Sequence, residues 1–210
     1  MNPEKDKELC EKYPILYAQR DKSMQDTCMC WGFECGDGWA RIIDELSAKI
    51  EDVNREILAD QKRQWKIAEW LGTIGGFSLG ASLGTIPLVQ TPLIPILTAL
   101  LSILLSWQGI RLSRRARDRC FVEASQVKEK FGTIRFYIGP VESKYDDRVY
   151  EWIDQAEEQS SKTCEHCGAP GKERSGGWIL TLCDDCQKKR DAEYDKYREQ
   201  SKHHPEDGLE

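Results

Sequence analysis

Apolar and polar positions along the chain fall into distinct regimes. After Trp39, the residues Ile43, Leu46, Ile50, Val53 and Ile57 follow one another at alternating steps of three and four. That spacing keeps side chains on one face of an α-helix. It predicts a long helix with a single apolar seam, opened by Asp37 or Gly38. The helix continues through Lys62–Lys66 into a block from Trp70 to Ile110, 41 residues without a charge or a histidine. Beyond it, FVEASQVKEK reads as further helix. FGTIRFYIG (Phe131–Gly139) alternates β-branched and aromatic residues with small or polar ones and predicts a strand. Asp146–Ser161 places Val149, Trp152, Ile153 and Ala156 on one helical face. Trp178, Leu180 and Leu182 alternate with Ile179 and Thr181 as a second strand. Residues 1–27 predict a short charged helix and then turns near Lys22–Asp26, while residues 188–210 predict a charged helical tail, partly disordered.

The uncharged block divides at PLVQTP (Pro87–Pro92). Its second part, Leu93–Ile110, holds ten Leu or Ile in 18 residues, enough for about 27 Å of helix and most of a hydrocarbon core. Its first part, about 70–86, is rich in glycine and hydroxyl residues, with Gly72, Gly76, Gly80 and Gly84 in register as GxxxGxxxGxxxG. In a helix these four make a face on which another backbone can pack closely. The expectation is a transmembrane hairpin inserted within residues 55–120, packed through that glycine face internally or against a second copy. One such block excludes a polytopic transporter.

Charge gives the hairpin a direction. The chain has 30 basic and 36 acidic side chains, net −6, so no global attraction to nucleic acid or an anionic surface follows. Around the block the pattern is different. Arg55, Lys62, Arg63 and Lys66 precede it, Arg111, Arg114, Arg115, Arg117 and Arg119 follow it, and the turn has none. Cations at both ends place both termini in the cytoplasm, at the bacterial inner membrane, with Trp65, Trp70 and Trp107 at the interface.

Nine cysteines are many for 210 residues. The odd number and the charged opening MNPEKDKELCEKYP, which leaves no room for a signal-peptide core, favour reduced thiols over a disulfide scaffold. Cys164, Cys167, Cys183 and Cys186 form C-x2-C-x15-C-x2-C, the spacing of two knuckles that complete one tetrahedral zinc site. This predicts a zinc ribbon over 161–187 holding one structural zinc, with His166 solvated inside the first knuckle. Six basic residues nearby (Lys162, Lys172, Arg174, Lys188, Lys189, Arg190) face four acids, Glu165, Glu173, Asp184 and Asp185. That net +2 is a thin footprint for nucleic acid and fits a solvated surface better. Cys28, Cys30 and Cys35, with Cys10 or Cys120, leave two readings open: a second metal or plain buried thiols. In CMCWGFECGDGW, Gly32, Gly36 and Gly38 predict irregular backbone.

Four stretches, LCEKYPILYAQR, CMCWGFECGDGW, QVKEKFGTIRFYI and TCEHCGAPG…GGWILTLCDDC, resemble a family of short proteins without assigned activity from tailed bacteriophages and prophages. The resemblance covers roughly 9–50 and 124–187, and the CWGFECGDGW and KEKFGTIRFY stretches carry most of its specificity. It implies a phage or prophage origin, a small α+β body and a C-terminal zinc ribbon. Between about Arg55 and Cys120 this chain departs from the family pattern, as an insertion would. The fold class expected is therefore α+β: a body split over 1–54 and 121–160, the inserted hairpin, the ribbon and the tail.

The functional expectation is a membrane-tethered cytoplasmic interaction protein that binds a host or phage protein. A nucleic-acid-binding accessory protein and a membrane-active lysis or exclusion factor are the alternatives. Catalysis finds little support: there is no P-loop, HExxH or GxSxG, and the three histidines are His166, His203 and His204.

Overall fold

A computed structural model describes the backbone of residues 1–84, 93–175 and 178–203, and all of their side chains except those of 75–84, 93–95 and 201–203. The chain forms two compact units, Met1–Asp52 with Val122–Glu210, and Val53–Phe121.

In the first unit, α1 (Pro3–Lys12) begins at Asn2, whose side-chain oxygen accepts the Glu4 N–H. A chain of turns follows, ending in β1 (Phe33–Glu34). After a 3-10 turn at Asp37–Trp39, α2 (Ala40–Gly84) begins. The seam Ile43, Leu46 and Ile50 is buried as its spacing predicts. Beside it the buried Glu51 carboxylate accepts the Leu16 N–H at 2.9 Å and the Ile15 N–H at 3.3 Å. That carboxylate satisfies backbone donors which a non-helical segment would otherwise bury unpaired.

Residues 124–130 depart from the helical expectation. They form β2 (Ala124–Lys130), which pairs antiparallel with β3 (Thr133–Ile138) and parallel with β1. The three-stranded sheet has the order β1-β2-β3. Gln, Lys and Glu favour a helix locally, but pairing on both edges and burial of Ala124 and Val127 outweigh that preference. The hairpin turn is Phe131-Gly132, both with positive φ (55° and 76°), the geometry that matches strand twist in two-residue loops. Helix α4 (Asp146–Ser160) covers the sheet with Val149, Ile153 and Ala156, and its Ser160 hydroxyl accepts the Ile134 N–H at 2.9 Å. A second hairpin joins β4 (Lys172–Arg174) to β5 (Leu180–Leu182), and α5 (Asp184–His203) closes the described chain. Residues 204–210 of the expected tail lie outside the described residues.

The second unit contains the rest of α2 and α3 (Leu93–Arg117). Gln61 Nε2 donates to the Ala116 carbonyl at 2.7 Å. A Cβ placed on Gly109 would stand 3.0 Å from the Ala68 carbonyl oxygen. Residues 61 and 116, and 68 and 109, therefore lie opposite one another, and the helices run antiparallel in constant register.

Helix α3 inverts the burial of a water-soluble helix. Ser102, Gly109 and Ala116, spaced seven apart, are buried. Ile96, Leu97, Leu100, Leu101, Ile103, Leu104, Trp107 and Ile110 are all more than half exposed. Among the described residues one helix, Ile96–Arg117, is long and apolar enough to cross a membrane. The structure thus carries one such helix where the sequence predicts a hairpin of two. The first expected span, about 70–86, falls largely on residues whose side chains lie outside the described set, as does the Pro87–Pro92 turn.

The expected glycine face is described only at its first member. A Cβ on Gly72 would meet nothing within 4 Å among the described residues. Close approach in this stretch occurs at Gly109, against Ala68, Leu71 and the Gly72 nitrogen. Gly76, Gly80 and Gly84 belong to α2, but their surroundings lie outside the described residues.

Candidate metal centre

The four cysteines arrive from two directions. Cys164 and Cys167 lie on a tight turn after α4. Its Cys164 carbonyl accepts the Gly168 N–H at 2.9 Å, and the Cys164 N–H donates to the Ala169 carbonyl at 2.7 Å. Gly168 has φ +78°, a left-handed conformation that glycine adopts without strain. Cys183 follows β5 directly, and Cys186 sits in the first turn of α5 with its N–H aimed at the Cys183 sulfur at 3.4 Å.

All four sulfurs lie within 4.8 Å of one another, and Cys167 Sγ is 3.6 Å from Cys183 Sγ. A tetrahedron of Zn–S bonds near 2.3 Å requires sulfurs about 3.8 Å apart. The spacing fits a metal held by four thiolates. Burial opposes ionisation of Cys164, but backbone N–H groups of Cys183, Cys167 and His166 reach its sulfur and bring the thiol down to about 7. Burial, followed by hydrogen bonding to the other three thiols, pushes Cys186 up to about 12. A metal binds thiolates, so a cation at this cluster would displace the protons of its thiols. His166 is exposed.

The knuckle is seated on the CGDGW segment, which the spacing of the cysteines gives no reason to expect. The Gly38 N–H donates to the Glu165 carbonyl at 2.7 Å, and the Gly36 N–H to Glu165 Oε1 at 2.9 Å. The fully buried Trp39 donates its indole N–H to the Thr163 carbonyl at 2.7 Å. A Cβ on Gly38 would overlap the Cys164 carbonyl oxygen and the Gly168 nitrogen, and one on Gly36 would overlap the Glu165 backbone. Neither glycine has positive φ; each is there because two backbones touch. Of the three glycines in this irregular segment, Gly32 alone has positive φ, +77°, and its bare Cα lies against the Asp6 carboxylate. On the other side, the Glu165 N–H donates to the Thr181 carbonyl at 2.9 Å, and the Thr181 hydroxyl donates to the Gly132 carbonyl at 2.6 Å. The cysteine module is built into the body.

This contact yields a direct test. Gly38→Ala is expected to lower stability by about 1–3 kcal/mol, the range for forcing atoms into a packed site. Gly139→Ala, where a Cβ meets only the Glu123 carbonyl oxygen at 3.7 Å, should stay within about 0.5 kcal/mol of the parent. Urea midpoints of the two variants check the difference.

Among the described residues these four cysteines are the group placed to hold a metal. The remaining thiols are used separately. Cys10 lies 3.6 Å from Asp6 Oδ1, Cys30 donates to the Thr27 carbonyl, Cys35 is buried, and Cys28 and Cys120 are exposed. A cavity of about 650 Å³ borders α1 and includes Asp6, Cys10, Arg20 and Trp31. Two of its charged groups, Asp6 and Arg20, engage each other, Arg20 Nε donating to Asp6 Oδ1 at 3.1 Å, and burial raises the Cys10 thiol to about 12. Near the metal cluster, Lys172 and Arg174 both pair with Asp184, and Lys162 pairs with Glu158, which weakens the basic footprint further. Compared with protein-family models, with curated proteins and with solved structures, the chain has no match.

Proposed function

We propose that this chain is a membrane-tethered interaction protein of phage or prophage origin, whose α+β body is held rigid by a structural zinc on the cytoplasmic side of the bacterial inner membrane. The observation that carries this reading is the inverted burial of α3, with small residues inside and large apolar ones outside. Water penalises that arrangement and lipid does not, because hydrocarbon tails are as apolar as leucine. The uncharged part of α2 and α3 would form the transmembrane hairpin. Cations at its base and none in its connection put both termini in the cytoplasm.

Cys164, Cys167, Cys183 and Cys186 would hold zinc, the metal suited to four thiolates in a tetrahedral set. Bound there, it supplies a crosslink between the knuckle after α4 and the start of α5. Four protein ligands leave no position for water or substrate, which argues for a binding role over catalysis. The rigid surface then serves a protein partner of the host or the phage, and the resemblance to phage proteins of the same motifs supports that origin.

The test uses the full-length protein expressed in bacteria. Alkaline carbonate should leave it in the membrane pellet, detergent should release it with one zinc per chain, a reporter at Thr91 should be exported and one after Gln187 cytosolic. Release by carbonate, or a Thr91 reporter that stays cytosolic, overturns the tether.

A further inference from the structure

Register between α2 and α3 has a consequence for charge. With residues 61 and 116 opposite one another, and 68 opposite 109, Lys62, Arg63 and Lys66 stand level with Arg115, Arg114 and Arg111. All six are exposed. One tier further along, Trp70 stands level with Trp107, and Trp65 lies about one turn back. The Arg111 guanidinium stacks over the Trp107 ring at 5.4 Å from its centroid, joining the two tiers. Beyond them both helices lose every charge together, at Trp70 and at Ile110.

The collar reverses the sign of the molecule. Residues 60–70 and 107–117 hold seven cations against two carboxylates, Asp60 and Glu69, a local +5 in a chain of net −6. Asp60 pairs with Arg63 at 2.8 Å, and Lys62, Lys66, Arg111, Arg114 and Arg115 are exposed around it. The five-donor guanidinium suits phosphate oxygens. Phospholipid phosphates lie just outside the level at which tryptophan rings settle, which is the level of this basic tier.

We infer that the paired base of α2 and α3 is a binding collar for the phosphate headgroups of anionic phospholipids, with Lys62, Lys66, Arg111, Arg114 and Arg115 as its contacts. The inference rests on the membrane reading above and adds to it a lipid class. Orienting a hairpin requires only that cations stay on one side. A collar in register concentrates them at one depth, so it selects among lipids.

Electron spin resonance of the full-length protein in phosphatidylcholine vesicles tests it, using trace spin-labelled phosphatidylglycerol or spin-labelled phosphatidylcholine as the probe. The motionally restricted fraction should show about fivefold preference for phosphatidylglycerol at low salt, equivalent to ~1 kcal/mol. High salt should reduce it. The surface substitutions Lys62→Gln, Lys66→Gln, Arg111→Gln and Arg115→Gln together should bring the preference to parity, whereas replacing the arginines by lysine should keep most of it. Parity in the unaltered protein, with a restricted fraction still present for both lipids, overturns the collar and leaves the tether standing. Absence of a restricted fraction with either lipid overturns both.

Discussion

Cys183→Ser is expected to abolish metal binding and to loosen the body beyond the cysteine module. Cys183 is the sulfur that faces Cys167 at 3.6 Å and accepts the Cys186 N–H, so its loss breaks the link between the two knuckles. Metal binding at a structural site is folding free energy, an apparent value of ~10–16 kcal/mol in isolated zinc fingers. Here much of that energy acts on contacts outside the module. The Thr163–Gly168 turn accepts the Trp39 indole N–H and the Gly38 N–H. If the turn disorders, a buried donor is left unpaired, at about 1–3 kcal/mol. The sequence alone leads to a different expectation, an independent ribbon that unfolds by itself. Metal content and the near-ultraviolet tryptophan signal during urea unfolding separate the two. Loss of metal with that signal and the midpoint unchanged would mean the module is detachable.

Leu101→Arg with Leu104→Arg should remove the protein from the membrane. Both leucines are more than half exposed near the middle of the apolar stretch of α3. Moving an arginine in place of a leucine to the centre of a span costs roughly 3–4 kcal/mol, so the pair costs roughly 6–8 kcal/mol. Neither side chain belongs to the Ser102–Gly109–Ala116 seam, so contact between α3 and α2 should survive. Carbonate extraction and gradient flotation of the variant are the readouts. A variant that floats with membranes as the parent does would show that α3 is not in lipid.

Much of the metal centre could be read from residue order because its information is local. Two pairs of thiols, each spaced to share one ion, define a site whatever surrounds them, and the structure brings all four within 4.8 Å. The seam Ile43, Leu46, Ile50, Val53 and Ile57 could be read for the same reason: one helix repeats one environment, and every member is buried. The uncharged stretch of α3 needed only composition. Residues 124–130 could not be read this way. QVKEK has helical composition, and its strand identity comes from β1, about ninety positions earlier, and β3.

Residue order by itself thus determined the four-cysteine cluster, the long helix, the strand within Phe131–Gly139 and the apolar stretch, since each rests on a period or spacing within one segment. Tertiary structure decided what the glycines and small residues are for. Gly36 and Gly38 look like turn residues, yet they are bare so that the Cys164–Gly168 backbone can lie on them. Gly72 heads the most regular glycine pattern in the chain, yet a Cβ there would meet nothing among the described residues, whereas one on the unremarked Gly109 would lie against Ala68 and the Gly72 nitrogen. A missing side chain carries no record of what fills its space. Only the partner segment, brought alongside by the fold, distinguishes a flexible glycine from one that makes room.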